Sequence, residues 1–331
     1  MSDVDAAIAR INKEQGGKGK DIVVARLGKM EPINVTPLPT GILSLDVAIG
    51  VGGFPRGRII EVYGPASHGK TTVALTAIAE THAAGGEAAF VDTEHALDPD
   101  YARALGVDVN KLVFSQPSNG EQALEVAHDL IKAGVDLVVV DSVAGLVPRS
   151  ELDGNMGDAQ MGVQARLMSQ AMRVLNRDVS KAGGVLLFTN QIRMKLGVMF
   201  GNPETTPGGE ALKFWASVRM DVRRRETFKV DDKVIGIGVR VKVVKNKVAA
   251  PYREAEFDIY NGEDEHPKGV DRAGDLLSVA EGLGIVEKSG TWYSFAGEQL
   301  AQGKTGSSIY LTEHPEVMEA LKEQVLAAFK K

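Results

Sequence analysis

The stretch "GPASHGKTT", residues 64–72, constrains more than any other feature what this chain can fold into. Gly64, four further residues and then Gly69-Lys70-Thr71 have the spacing of a phosphate-binding loop. The glycines let backbone N–H groups turn towards a phosphate chain, Lys70 supplies a positive charge, and the Thr71 hydroxyl is a ligand for Mg²⁺. A strand-like apolar run precedes the loop and a helical pattern, roughly 70–84, follows it. The pattern therefore predicts a nucleotide site formed by Gly64, Pro65, Ala66, Ser67, His68, Gly69, Lys70, Thr71 and Thr72.

Composition excludes several classes of protein. The chain has 331 residues, is 44% hydrophobic and contains no cysteine, so it has no disulfides, thiolate zinc site or cysteine nucleophile. No apolar run approaches the ~18 residues of a membrane span, and the N-terminus lacks the apolar core of a signal peptide. We therefore expect a soluble, cytoplasmic protein with no membrane partner.

Charge is distributed unevenly along the chain. The formal net charge is −6, but residues 192–253 contain 14 Lys or Arg against 6 Asp or Glu, and residues 254–331 contain 7 against 15. Because the acidic total conceals a basic middle, it does not exclude a polyanionic partner.

The chain separates into three predicted regions. Residues 1–32 contain a short amphipathic helix and the strand-like "DIVVARLG", which are too small to bury their own apolar faces and must pack on another surface. In residues 33–265, apolar strands alternate with helical stretches, which predicts a mostly parallel α/β sheet. Residues 266–331 predict a small α+β domain that ends in an amphipathic helix.

Several central strands end in polar residues, and parallel strands deliver such residues to one edge of the sheet, where ligands bind. Asp141 fits a carboxylate that holds the waters of Mg²⁺, and Glu94 fits a base that activates water beside a γ-phosphate. Gln191 fits a group that contacts the γ-phosphate. Asp141 also fits a turn aspartate at a strand end, and Glu94 also fits a solvated glutamate at the start of a loop. The sequence around Gln191 leaves its role open.

Two stretches combine apolar and basic residues with glycines: "ELDGNMGDAQMGVQARLMSQAMR" and "RMKLGVMFGNPETTPGGEALKFW". Methionines usually pack in a core, which suits the helical part of the first stretch. In the glycine-rich parts, such a mixture suits single-stranded nucleic acid, because basic groups neutralise phosphates and apolar groups insert between bases.

Six segments in order, among them "FVDTEHALDPDYARALGVD", "VVVDSVAGLVPRSE", "NQIRMKLGVMFGNPETTPGG" and "VKVVKNKVAAPYREAEFDI", closely resemble the bacterial RecA recombinases over almost the whole chain. The resemblance implies a P-loop NTPase core of the RecA-like type with an N-terminal oligomerisation segment. It also implies an ATP-dependent filament on single-stranded DNA that exchanges strands with double-stranded DNA. Members of this family also promote self-cleavage of the repressor of the DNA-damage response, which would be a further partner.

The resemblance assigns roles residue by residue. Around ATP and Mg²⁺ it places, besides the phosphate loop, Glu94, Asp98, Tyr101, Asp141 and Gln191. On single-stranded DNA it places Met161, Arg166, Ser169, Arg173, Arg193, Leu196, Gly208 and Gly209. Lys245 and Lys247 would reach the ATP of a neighbouring copy and act with Glu94, Lys70 and Gln191 in catalysis, while Phe214 would insert into that neighbour.

The chain also departs from the family pattern. Ala66 and His68 replace the usual acidic and small residues of the phosphate loop, and Thr93 replaces the usual alanine beside Glu94. Pro207 and Glu210 stiffen the second DNA loop and add a negative charge to it.

Other classes of function remain open at this stage. A hexameric helicase uses the same ATPase core, although it normally has a larger N-terminal region. A small-molecule kinase is disfavoured by Glu94 and by the paired loops. A non-hydrolysing DNA-binding filament scaffold requires that His68 or Thr93 prevents hydrolysis.

Overall fold

The structure is a computed structural model that describes residues 2–15, 24–29, 35–155, 162–195, 197, 201–263 and 266–329. It comprises two units, Met1–Val35 and Thr36–Lys331. In the described parts of these units the helices are α1 Asp3–Gln15, α2 Leu43–Ile49, α3 Lys70–Ala83, α4 Pro99–Ala104, α5 Gly120–Lys132, α6 Arg149–Leu152, α7 Val163–Ala182, α8 Ala211–Trp215, α9 Arg272–Gly282, α10 Gly303–Glu313 and α11 Pro315–Phe329.

The first unit contains the predicted amphipathic helix, α1, and a 3₁₀ turn at Leu27–Lys29. The Asn12 amide donates to the carbonyl of Val24 and accepts from its N–H, both at 2.8 Å. Arg26 and Asp5 form an ion pair at 3.1 Å. The start of the strand predicted at "DIVVARLG" lies outside the described residues, and its described end enters the 3₁₀ turn.

The second unit is built on a nine-stranded sheet of order β13-β12-β11-β10-β3-β7-β6-β4-β5. Strands β10, β3, β7, β6, β4 and β5 run parallel, and the pairs β10–β11, β11–β12 and β12–β13 are antiparallel. The strands are β1 Pro37–Leu38, β2 Phe54–Pro55, β3 Arg58–Tyr63, β4 Ala88–Asp92, β5 Val113–Ser115, β6 Leu137–Asp141, β7 Val185–Asn190, β8 Arg193–Met194, β9 Glu204–Thr205, β10 Val218–Val230, β11 Lys233–Asn246, β12 Glu254–Tyr260, β13 Gly269–Val270, β14 Val286–Ser289, β15 Trp292–Phe295 and β16 Glu298–Gln302.

Register brings the polar strand ends together. Asp92 of β4 lies opposite Asp141 of β6, and Tyr63 of β3 lies opposite Asn190 of β7. All four strands run in one direction, so their carboxyl ends meet at one edge of the sheet. The predicted mostly parallel α/β sheet is therefore confirmed.

Both faces of the central sheet are covered, because successive side chains of a strand point to opposite faces. In β6, Leu137 and Val139 belong to the core beneath α2 and α3, whereas Val138 and Val140 belong to the core beneath α5 and α7. Burying each of these side chains contributes about 1.5–3 kcal/mol relative to exposure. The continuous apolar runs of the sequence reflect this two-sided burial.

The C-terminal part packs α9, α10 and α11 with the antiparallel sheet β14-β15-β16 around a third core. Strand β13, at Gly269–Val270, still pairs with β12 of the large sheet, so that sheet extends slightly beyond residue 265. Across the described part of the chain, every helix is too short or too polar to span a membrane.

Candidate nucleotide and DNA sites

The predicted phosphate loop connects β3 to α3, and α3 begins at Lys70, close to the predicted start. Gly69 has φ +93°, and a Cβ at this position would lie 2.7 Å from Cδ1 of Ile259. Only glycine suits both this left-handed conformation and this close approach. The loop therefore has the strand–loop–helix context that a phosphate site requires, with the positive end of the α3 dipole at the loop.

Lys70 is buried, and its ammonium donates to the carbonyl of Pro65 at 2.7 Å. Burial lowers the pKa of Lys70, while the nearby carboxylates of Asp141 and Glu94 act in the opposite direction. The ammonium thus bridges its own loop and lies close to two negative groups.

Asp141 receives a hydrogen bond on each carboxylate oxygen. The Thr71 hydroxyl donates to Oδ2 at 2.7 Å, and the Thr189 hydroxyl donates to Oδ1 at 2.5 Å. Burial raises the pKa of Asp141, and the two hydroxyl bonds counteract this rise. The Thr71 hydroxyl and the Asp141 carboxylate are thus adjacent oxygen atoms, the kind of ligand that Mg²⁺ prefers.

In the described ranges, no three His, Cys, Asp or Glu side chains cluster closely enough to form a metal cage. Mg²⁺ does not need one, because it usually keeps several waters and is held by one or two protein groups together with substrate phosphates. The residues at this site therefore fit Mg²⁺ bound with a nucleotide.

Glu94 follows β4 and has two donors on the same carboxylate oxygen. The Ser142 hydroxyl and the Gln191 amide both donate to Oε1, the latter at 2.9 Å. The structure thus brings together the predicted base and the predicted γ-phosphate contact, which stand almost a hundred positions apart in the sequence.

Asp98 and Tyr101, which the resemblance places around ATP, lie at the start of α4. Asp98 caps this helix, because its carboxylate accepts from the N–H of Asp100 at 2.8 Å. Tyr101 shares a hydrogen bond of 2.8 Å with the Thr72 hydroxyl, which ties α4 to the phosphate loop. Burial raises the pKa of Tyr101.

Sequence reasoning missed three contacts at this edge. It assigned no role to Thr189, although a threonine inside the apolar run "GVLLFTNQIR" was a visible signal. It also gave no partner to the Ser142 hydroxyl, and it did not find the bond of 3.1 Å from the N–H of Arg224 to Nδ1 of His68. The last joins residues 156 positions apart and has no local signature.

Comparisons with known proteins agree along the chain. A family model described as the RecA N-terminal domain matches residues 2–265, and one described as the RecA C-terminal domain matches residues 274–330. The chain belongs to the RecA family. Three curated relatives named Protein RecA are similar to it: that of Syntrophus aciditrophicus (55% identity, 97% of this chain, 92% of the relative), that of Salinispora arenicola (55%, 98%, 90%) and that of Lactobacillus acidophilus (53%, 98%, 88%).

Membership of the RecA family supports recombination over the helicase and scaffold alternatives.

The structure gives positions for some of the residues that are predicted to contact DNA. Arg166, Ser169 and Arg173 are exposed on α7, at spacings of three and four that share one helix face. Arg173 donates to the carbonyl of Ser169 at 3.1 Å, which orders its guanidinium. Met161, predicted to insert into DNA, lies outside the described residues.

The second predicted DNA loop is anchored at both described ends. Arg193 is exposed on β8, which pairs with β9, and Leu196 lies outside the described residues. Gly208 and Gly209 both have positive φ, and the N–H of Gly208 donates to Oε1 of Gln164 at 3.1 Å.

Gln164 belongs to the region of the first predicted DNA loop, and its amide also donates to the carbonyls of Val143 and Leu146. One side chain thus joins the second loop, the helix that follows the first loop, and the turn after β6.

Two departures from the family pattern have local partners. Glu210, expected to add a negative charge near DNA, forms an ion pair with Lys213 at 2.6 Å. The pKa of His68 is lowered by burial and by Arg224, Lys70 and Arg223, which favours the neutral ring that accepts from Arg224.

The predicted interface residues form one cluster, termed here the lysine surface and consisting of Phe214, Lys245 and Lys247. The ammonium of Lys245 donates to the carbonyls of Lys213 at 2.5 Å and Phe214 at 2.8 Å, and that of Lys247 donates to the carbonyl of Phe214 at 3.1 Å. Phe214 is 71% exposed. Lys245 lies opposite Arg219 at the start of β10, whereas His68 of the phosphate loop is bonded to Arg224, further along the same strand. The lysine surface therefore does not adjoin the phosphate loop of its own chain.

Proposed function

We propose that this chain is a DNA-dependent ATPase that forms a head-to-tail helical filament on single-stranded DNA, pairs it with homologous double-stranded DNA and exchanges the strands. One observation carries the coupling of ATP to DNA. Gln191 donates to Glu94 at the nucleotide edge, while the adjacent Asn190 donates to the carbonyl of Pro207 in the second DNA loop at 3.2 Å. Two neighbouring residues thus contact the two proposed sites.

The nucleotide is held by the N-terminus of α3, the loop N–H groups and Lys70. Thr71 and Asp141 would hold Mg²⁺, which supplies charge neutralisation at the phosphate oxygens when bound. Binding of Mg²⁺ would break the hydrogen bond between Thr71 and Asp141. This loss costs little, because each oxygen would exchange its partner for the ion or one of its waters.

Hydrolysis requires a base beside the attacking water. Glu94 accepts a proton from that water as its oxygen attacks the γ-phosphorus and ADP leaves. Gln191 exchanges Glu94 for the γ-phosphate when ATP is bound, and Asn190, whose amide also donates to the buried Glu61 at 3.0 Å, transmits the shift to Pro207.

On the DNA side, Arg166, Arg173 and Arg193 neutralise phosphates, while Ser169 and the N–H groups of Gly208 and Gly209 donate to them. Met161 and Leu196 insert between bases as apolar wedges, which do not read the base sequence. Because the basic residues contact phosphates, the affinity for single-stranded DNA must fall as the salt concentration rises. The logarithm of the binding constant should fall with the logarithm of the salt concentration by about 0.7 for each phosphate contact on a single strand.

The filament assembles because two different faces of the chain meet at each interface between copies. The lysine surface and the N-terminal unit pack on the next copy, and an interface between two different faces repeats without closing. Lys245 and Lys247 then stabilise charge on the neighbour's γ-phosphate. The filament also promotes self-cleavage of a repressor, a role supported by the family resemblance alone.

The test is ATP turnover by Gln191→Ala with and without single-stranded DNA. We expect single-stranded DNA to raise the ATP turnover of the parent by a factor within the ~5–150-fold range of typical couplings between sites. For the variant, the ratio of turnover with DNA to turnover without DNA should be near one. Gln302→Ala, which removes an exposed glutamine bonded to Thr291 in the C-terminal part, is the matched control and should keep the parental ratio. Undiminished stimulation of Gln191→Ala would contradict the proposed coupling.

A further inference from the structure

Thr93 stands between β4 and Glu94, where the family usually has alanine, and it makes an unusual set of bonds. Its hydroxyl donates to the carbonyl of Ser142 at 2.7 Å and accepts from the N–H of Ser142 at 2.8 Å. Its own N–H donates to the carbonyl of Asp141 at 2.9 Å. These three bonds join the ends of β4 and β6 at and beyond their last paired residues.

The side chain of Ser142 connects Thr93 to the proposed catalytic base. Ser142 is 1% exposed, and its hydroxyl donates to Oε1 of Glu94. The hydroxyl hydrogen rotates to suit its acceptor, whereas the position of the Ser142 oxygen depends on the backbone that carries it. Thr93 holds that backbone on both its N–H and its carbonyl.

Packing makes the arrangement tight on a second side. A Cβ on Gly145, in the turn that follows Ser142, would lie 2.5 Å from the Thr93 hydroxyl and 2.6 Å from the Thr93 carbonyl. The turn thus approaches Thr93 as closely as glycine permits, which leaves the threonine little freedom to move.

We infer that Thr93 is a positioning residue for ATP hydrolysis: it fixes Ser142, whose hydroxyl then holds Oε1 of Glu94 and leaves Oε2 to accept the proton of the attacking water. The inference rests on the proposed ATPase function. Thr93 itself touches neither nucleotide nor water in this account. It acts through Ser142.

The test begins with Thr93→Val, which keeps the shape of the side chain and removes the hydroxyl. We expect kcat for DNA-stimulated ATP hydrolysis to fall about fivefold, the effect of losing about one hydrogen bond, with KM for ATP unchanged. Thr93→Ser restores the hydroxyl and should return kcat to within about twofold of the parent. Thr81→Val removes a similar bond to a backbone carbonyl, that of Ala77 in α3, and should leave kcat unchanged.

A double-mutant cycle separates positioning from general stability. Ser142→Ala should lower kcat by a similar factor, and Thr93→Val with Ser142→Ala should be no slower than the slower single variant, because both act on one contact. Fully multiplicative losses, or a fall in melting temperature with unchanged kcat, would overturn the inference.

Glu94→Gln distinguishes this inference from the proposed function. A slow Glu94→Gln beside an unimpaired Thr93→Val overturns the role of Thr93 alone. Parental turnover by Glu94→Gln overturns the proposed role of Glu94 and the inference with it.

Discussion

The catalytic edge and the lysine surface of this chain differ in how fully their polar groups are partnered. At the edge, Asp141 accepts from two hydroxyls and Glu94 accepts from a hydroxyl and an amide. On the lysine surface, the two ammonium groups donate only to carbonyls of α8 in the bonds described, and Phe214 is exposed beside them. The polar groups of the edge are paired with one another, whereas the ion pairs found among the described residues include neither lysine of the lysine surface. We take this difference to mean that the second region functions against another copy of the chain.

The largest expected effect is at the edge. Glu94→Gln should bind ATP and DNA but lose about 10²–10⁴-fold in turnover, because the proton acceptor is gone. Lys70→Ala should fail at the earlier step and lose productive ATP binding. Turnover and the affinity for a slowly hydrolysed ATP analogue, measured for both variants, separate the two failures.

Glu87→Gln, which changes an exposed glutamate just before β4, is the control for Glu94→Gln and should behave as the parent. If Glu94→Gln keeps the parental rate of turnover, Glu94 is not the base, and the proposed site of catalysis at this edge of the sheet is wrong.

The smallest expected effect is a change in the stability of the folded chain with pH, which arises from Lys245 of the lysine surface. The pKa of Lys245 is lowered to about 8, first by burial and then by Lys247 and Arg219. Below pH 8 the ammonium is charged in both the folded and the unfolded chain, so folding bears the cost of its burial. Between pH 8 and the ordinary value of 10.5 the unfolded chain alone keeps the proton, so the folded chain gains stability as pH rises.

Thermal unfolding of the parent and of Lys245→Met should reveal this. The melting temperature of the parent relative to the variant should rise by about 1 °C from pH 8 to pH 10. Lys242→Met, on the same strand but in an exposed ion pair with Glu254, is the control and should show no such trend. A relative melting temperature that falls over this range would mean that Lys245 is stabilised as a cation within the single chain.

How much could be predicted differs between the two regions. The strand ends at Asp92, Asp141 and Asn190, and the helix that begins at Lys70, follow from local patterns, because periodicity and parallel register alone bring them to one edge. The bond between His68 and Arg224 and the bridge made by Gln164 depend on which strands become neighbours, which no local pattern specifies.

The lysine surface shows the same limit more sharply. The resemblance to the RecA family identified Phe214, Lys245 and Lys247, but nothing in their local sequence indicated that the ammonium groups would cap the end of α8. The register that sets Lys245 opposite Arg219 is irregular at that point, and such irregularities arise from tertiary packing.

Whether the lysine surface acts on a neighbour can be measured by mixing two inactive proteins. One carries Lys70→Ala with its lysines intact, and the other carries Lys245→Ala and Lys247→Ala with an intact phosphate loop. At equal concentrations and random assembly, roughly a quarter of the interfaces join an intact loop to intact lysines. DNA-dependent hydrolysis should therefore return to about a quarter of the parental rate. A mixture of Lys70→Ala with Glu94→Gln should stay inactive, because both defects lie on the same side of the interface. If the first mixture co-assembles on DNA and remains inactive, the lysines do not act in trans, and the distinction drawn between the two regions is wrong.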